Sequence, residues 1–150
     1  MSQAPAPIDT MFDARLRAAM KQRPRGPAQA MIVSGGLAPH RLRLVDDYVQ
    51  AHLAEPLLLV DLAKIAKLSP KHFSRAFTQT MGRPPHRWLI EKRVAAARAL
   101  LRGSDKSLSE IALECGFADQ SHFTSLFRRY LGTPPGLWRR AWHDGQARTA

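Results

Sequence analysis

The chain has 150 residues, 45% of them hydrophobic, with 23 Lys and Arg against 12 Asp and Glu for a formal charge of +11. This length and apolar fraction suit one small domain, or two very small ones sharing a core, and exclude wholesale disorder; the charge asks for a polyanionic partner. A single cysteine, Cys115, excludes an internal disulfide and a cysteine-rich zinc site, and no strictly apolar run is longer than that from Leu57 to Val60, too short for a membrane span or an export signal.

Residues 1–38 cluster their turn-formers at Ala4 to Pro7, Pro24 to Pro27 and Ser34 to Gly36, which predicts a mostly disordered tail. Within it, Ile8, Phe12, Leu16, Ala19 and Met20 fall at helical spacing, an amphipathic stretch too short to hold a helix alone. From Pro39 onward apolar residues recur every three or four positions with almost no strand-like alternation, so residues 39–143 are expected to be all α. Leu42, Val45, Val49 and Leu53 stripe a first helix that Pro56 should break. Asp61 is placed to cap a short second helix with Leu62, Ile65, Ala66 and Leu68 inward. Ser69 followed by Pro70 opens a third, bearing Phe73, Ala76, Phe77 and Met81 and stopped by Gly82. A longer fourth helix spans 84–102. Ser107 with Glu110 forms a capping box for a fifth, carrying Leu108, Ile111, Ala112 and Cys115. Asp119 caps a sixth that carries Phe123, Leu126, Phe127 and Tyr130 as far as Gly132. A short last helix should hold Trp138 and Trp142, with 144–150 a frayed C-terminal tail.

Helices two and three are echoed by five and six. At an offset of 50, seven of the 17 residues from His72 to Trp88 are identical in the second copy: His72, Phe73, Phe77, Gly82, Pro84, Pro85 and Trp88 return as His122, Phe123, Phe127, Gly132, Pro134, Pro135 and Trp138. Upstream the offset is 49, pairing Leu62, Ala63, Ala66 and Leu68 with Ile111, Ala112, Cys115 and Phe117, so the second turn gains one residue. A short helix, a tight turn and a capped longer helix is the plan of a helix-turn-helix, which places one unit at 61–82 and another at 107–132. The 19 residues of the linker correspond to about 28 Å of helix, close to the ~34 Å turn of B-DNA. Two such units on one stiff linker can address successive major grooves of double-stranded DNA, and because their side chains differ the site would be asymmetric.

The apolar stripe of the third helix leaves Lys71, Ser74, Arg75 and Thr78 on its other face. Arg75 suits guanine O6 and N7, Lys71 a base acceptor or a phosphate, and Ser74 either; Thr78 lies where a phosphate would pass. The matching face of the sixth helix is Ser121, Thr124, Ser125 and Arg128, with Gln120 beside it suited to adenine and Thr124 to a thymine methyl. Arg87, Arg93, Arg98, Arg128 and Arg129 are the candidate phosphate contacts, although an arginine near Glu91 can instead serve the linker helix itself. Residues 39–103 carry 12 Lys and Arg against five acids and residues 104–150 six against five, so the first unit should supply more of the affinity. The repeated aromatics read as core, Cys115 as a buried inert thiol, and the histidines lack metal-ligand spacing. No Gly-rich phosphate loop or nucleophile motif appears, so no catalytic residue, metal or cofactor is expected. A non-specific or nucleoid-associated binder would explain the charge, but it has no need of two capped recognition helices.

Over Arg41 to Trp142 the chain resembles the DNA-binding domain of AraC/XylS-type bacterial transcription regulators, two helix-turn-helix units joined by a long helix. The likeness rests on Leu62-Ala63, Ser69, and Phe73 to Phe77 with Gly82. It continues through Arg93, Ala97 and Leu100-Leu101, and closes with Ile111 to Phe117, Ser121 to Phe123, Phe127-Arg128 and Gly132 to Pro135. It implies base reading by Lys71, Ser74 and Arg75 and by Gln120, Ser121 and Ser125, and activation by recruiting RNA polymerase at promoters. Ser125 stands where members often carry arginine. Thirty-eight residues cannot build the usual effector domain, so the chain resembles the small stand-alone members. The repeat and the linker length predict a monomer on DNA, and the lone cysteine a reducing cytoplasm, where the protein would be nucleoid-associated.

Overall fold

The computed structural model describes residues 35–149, and all regular structure among them is helical. The helices are α1 (Pro39–Ala51), α2 (Leu59–Ile65), α3 (Pro70–Met81), α4 (Pro85–Gly103), α5 (Leu108–Glu114), α6 (Gln120–Leu131) and α7 (Pro135–Thr149). The amphipathic stretch around Ile8 to Met20 lies outside the described residues. Two compact units emerge, one from residues 35–52 and 57–89, the other from 53–56 and 90–149.

In the first unit, Leu42, Val45 and Val49 of α1, Leu62, Ala63 and Ala66 around α2, and Phe73, Ala76, Phe77 and Met81 of α3 are all buried, with Trp88 from the start of α4. Phe77 sits between Phe73 and Trp88, ring centroids 5.5 Å and 5.1 Å away. Ser69 caps α3, its hydroxyl accepting from the His72 N–H at 3.2 Å, with Pro70 at the first helical position. Asp61 proves not to cap α2. The helix starts two residues earlier, at Leu59, so this carboxylate lies inside the first turn, where the macrodipole favours a negative charge. α1 ends at Ala51, short of Pro56; the His52 ring just beyond it donates to Tyr48 O at 2.8 Å and stacks on the Tyr48 ring. The last residues of the expected tail are packed as well. Leu37 is buried, and its N–H donates to Thr80 Oγ1 at 2.8 Å, since an apolar side chain next to α1 gains more from the core than from solvent.

The second unit repeats the plan. Val94, Ala97 and Leu101 of α4, Ile111, Ala112 and Cys115 around α5, Phe117, and Phe123 and Phe127 of α6 form one buried cluster, with Leu108, Tyr130 and Trp138 packed against it. The capping box at Ser107 forms in both directions: Glu110 N–H donates to Ser107 Oγ, and Ser107 N–H donates to Glu110 Oε2 at 2.7 Å. Those hydrogen bonds hold the Glu110 carboxyl below the usual carboxylate range. Asp119 Oδ1 caps α6 by accepting from the His122 N–H at 2.7 Å. α7 runs on to Thr149, so residues 144–149, expected to fray, are helical, although 144–148 are exposed and bury nothing.

α7 is fastened by cations. Arg102 lies 4.3 Å from the ring centroid of Trp142 and 5.3 Å from that of Trp138, and Arg98 lies 5.6 Å from Trp138. Arg139 Nη2 donates to Lys106 O at 2.6 Å. Partly buried cation–π contacts of this kind are worth about 0.5–2 kcal/mol each.

Both turns between short and long helix use one device. Leu68 N–H donates to Ala63 O and Phe117 N–H to Ala112 O, each at 2.9 Å, around a left-handed residue that is Lys67 (φ 55) in the first unit and Gly116 (φ 81) in the second. A Cβ on Gly116 would lie 2.1 Å from Leu53 O, so only glycine fits there; Lys67 is exposed and merely pays the left-handed penalty. Weighing that penalty of about 1–2 kcal/mol against the unfolded-state entropy of glycine, Lys67→Gly should stabilise the chain by about 0.5–1 kcal/mol in a denaturant titration. Gly116→Ala should destabilise it by about 2 kcal/mol or more.

Candidate nucleic-acid interface

Burying Phe73 and Phe77, one turn apart, turns the opposite side of α3 to solvent. There Lys71 and Arg75 are exposed, while Ser74 and Thr78 are half-buried. Ser74, Arg75 and Thr78 share the wall of a shallow concavity of about 720 Å³ with His72, Gln79 and Gly35, so the backbone just ahead of α1 runs beside this face. Thr78 differs from its expected role. Its hydroxyl donates to Ser74 O at 2.7 Å, and a hydroxyl has one proton, so what it offers outward is acceptor capacity that a phosphate cannot use.

Phe123 and Phe127 orient α6 in the same way. Gln120, Ser121 and Ser125 are exposed, Thr124 is half-buried, and Arg128 and Arg129 are exposed in the last turn. The Gln120 carboxamide is held from the neighbouring helix: Ser109 Oγ donates to Gln120 Oε1 at 2.8 Å. Periodicity gave no hint of Ser109, because a polar pair eleven residues apart across a turn leaves no repeating signal. The residue inserted in the second turn is Ala118, and its N–H donates to His122 Nδ1 at 3.2 Å while the imidazole packs edge-on to Phe117. His122 therefore closes the longer turn, a task that His72 in the first unit does not have.

Two of the candidate phosphate arginines are taken up inside the protein. Arg98 is only 6% exposed and lies against Trp138, so it leaves the set. Arg93 is half-buried, with Nε donating to Leu53 O at 3.3 Å and Nη2 to Glu55 O at 2.9 Å, which clasps residues 53–55 onto α4 beside Gly116. Both side chains follow tertiary neighbours that helical spacing cannot report. Arg87 is exposed at the start of α4. Burial pushes the Cys115 thiol up to about 11, which keeps it protonated and unreactive near neutrality. Among the described residues no group of His, Cys, Asp and Glu is arranged to hold a metal ion, and no helix is long and apolar enough to cross a membrane.

Comparison with known proteins follows the same outline. A family model of a helix-turn-helix domain matches residues 62–141. The transcriptional activator RhaS of Escherichia fergusonii is 40% identical over 95 residues, 63% of this chain and 34% of that protein. The DNA-binding domain of AdpA, a global transcriptional factor solved in complex with a target DNA, is 36% identical, with a TM-score of 0.66 over 69% of this chain and 93% of that one. A transcriptional regulator of Chromobacterium violaceum with an AraC-type DNA-binding domain is 32% identical, with a TM-score of 0.63 over 67% of this chain and 90% of that one. The chain spans about a third of the length of the curated relatives it matches, 32–38%. With two helix-turn-helix units in sequence and in structure, and a matching family model beside these similar proteins, the chain belongs to the AraC/XylS family of DNA-binding transcription regulators.

Proposed function

We propose that residues 39–143 form a sequence-specific reader of an asymmetric promoter site, with α3 and α6 entering successive major grooves. Lys71, Ser74 and Arg75 contact bases from α3, and Gln120, Ser121, Thr124 and Ser125 contact bases from α6. Arg87, Arg128 and Arg129 contact phosphates, and one chain suffices for one site. The observation that carries this reading is the pair of capped helices, each with two buried phenylalanines on one side and polar side chains on the other. α4 supports it as an unbroken helix of 19 residues, about 28 Å long. Likeness to an activator, RhaS, supports recruitment of RNA polymerase and activation as the outcome of binding. Such a protein works on the bacterial nucleoid.

The two readers are unequal. Arg75 offers two N–H groups to guanine, whereas Ser125 at the matching position offers one short hydroxyl. Arg75→Ala should therefore cost about 1–3 kcal/mol on a selected duplex and relax discrimination at one base pair, and Ser125→Ala should cost less in the same titration. Equal losses on selected and scrambled duplexes would mean that Arg75 reads no base and that binding is non-specific. Salt dependence separates the arginines. Arg128→Ala should lower the slope of log K against log salt by about 1, while Arg93→Ala should lower thermal stability and leave the slope unchanged.

A further inference from the structure

The bond from Ser109 to Gln120 joins the N-terminal turns of the two helices of the second unit, and both residues are exposed. An unrestrained glutamine turns about three side-chain bonds, and its amide can face either way round. Reading adenine demands one arrangement, with Oε1 accepting from N6–H while Nε2 donates to N7; the reversed amide sets donor against donor. The Ser109 hydroxyl gives its single proton to Oε1 and so pins that end of the amide in place, limiting the turns the side chain can make. A carbonyl oxygen has two lone pairs, so Oε1 keeps one for a base, and both Nε2 hydrogens remain available.

The first unit has no such arrangement. By the offsets of the repeat, Val60 stands in place of Ser109 and Pro70 in place of Gln120, and neither side chain can donate or accept a hydrogen bond. That unit carries Lys71 and Arg75, whose second-unit counterparts are Ser121 and Ser125. In the first two turns of α6 the longest polar side chain is thus an amide, and a neighbouring helix restrains it.

We infer that Ser109 is a positioning residue for base recognition: it holds the Gln120 carboxamide in the orientation that reads an adenine, and so sets specificity at one base pair without touching DNA itself. This rests on the proposed base contact of Gln120. Removing the restraint makes the glutamine order itself on binding, which at typical ordering costs for one side chain corresponds to about a two- to tenfold loss of discrimination.

The test uses the full chain and a duplex pool selected by the wild type from randomised DNA, with affinities measured at every position for the wild type, Ser109→Ala, Ser109→Thr, Gln120→Ala and the Ser109→Ala/Gln120→Ala double variant. The expected result is that Ser109→Ala flattens preference at one position about two- to tenfold and leaves the others alone. Ser109→Thr, which keeps the hydroxyl, should retain the preference, and Ser109→Ala should add nothing once Gln120 is alanine. If Gln120→Ala flattens a position that Ser109→Ala leaves intact, the positioning role is overturned while the base contact stands. If Gln120→Ala flattens no position, the base contact itself fails, and the positioning role with it. A uniform loss over all duplexes, or a Ser109→Ala effect that persists in the double variant, would mark Ser109 as structural only and also overturn the inference. Melting temperatures of all variants, expected to match the wild type, keep a folding defect from passing as any of these results.

Discussion

Two phenylalanines one turn apart fix each of α3 and α6 about its own axis, and everything proposed for the outer faces depends on that. Phe77 packs against both Phe73 and Trp88, and Phe127 against both Phe123 and Trp138, the same contacts in each unit. At about 1.5–3 kcal/mol for each buried ring, a pair is worth roughly 3–6 kcal/mol per helix. Rotating either helix by one residue would expose a ring and bury a polar side chain without a partner, so the orientation is strongly determined. Residues 71, 74 and 75, and likewise 121, 124 and 125, are then left on the far side by helical geometry alone.

On this shared frame the two units have diverged in chemistry. The first keeps long cations at Lys71 and Arg75, and the second has short hydroxyls there with a restrained amide ahead of them. The turns differ too: the first spends a strained lysine, while the second uses a glycine because Leu53 O and Arg93 press against it, and it admits Ala118 by giving the added N–H to His122. Three arginines that α4 gives the second unit are turned inward, with Arg98 and Arg102 against Trp138, Arg102 also against Trp142, and Arg93 on backbone carbonyls. Much of the basic charge counted along α4 is therefore structural, which net charge alone cannot reveal.

Wherever one stretch of chain decides the outcome, the sequence was readable. The all-α class, the repeat, the caps at Ser69, Ser107 and Asp119 and the buried aromatic stripes are local or periodic features, and the structure has them. Asp61 misled because two further residues, Leu59 and Val60, join the helix ahead of it. The places of Leu37, Arg93 and Arg98 are not legible along the chain, since each is decided by a partner elsewhere in it: Thr80, the carbonyls of Leu53 and Glu55, and Trp138. Ser109 and His122 gained their tasks from turn geometry, and Thr78 lost its own to a hydrogen bond one helical turn back.

The central claim is that one chain lays two unequal readers along one face of a duplex. Hydroxyl-radical footprinting of the full chain on its selected duplex tests it most directly. The account requires two protected patches whose centres lie about 10 base pairs apart on the same face, the one assigned to α3 the stronger at low salt. A single patch, or protection spread evenly along the fragment, would contradict it.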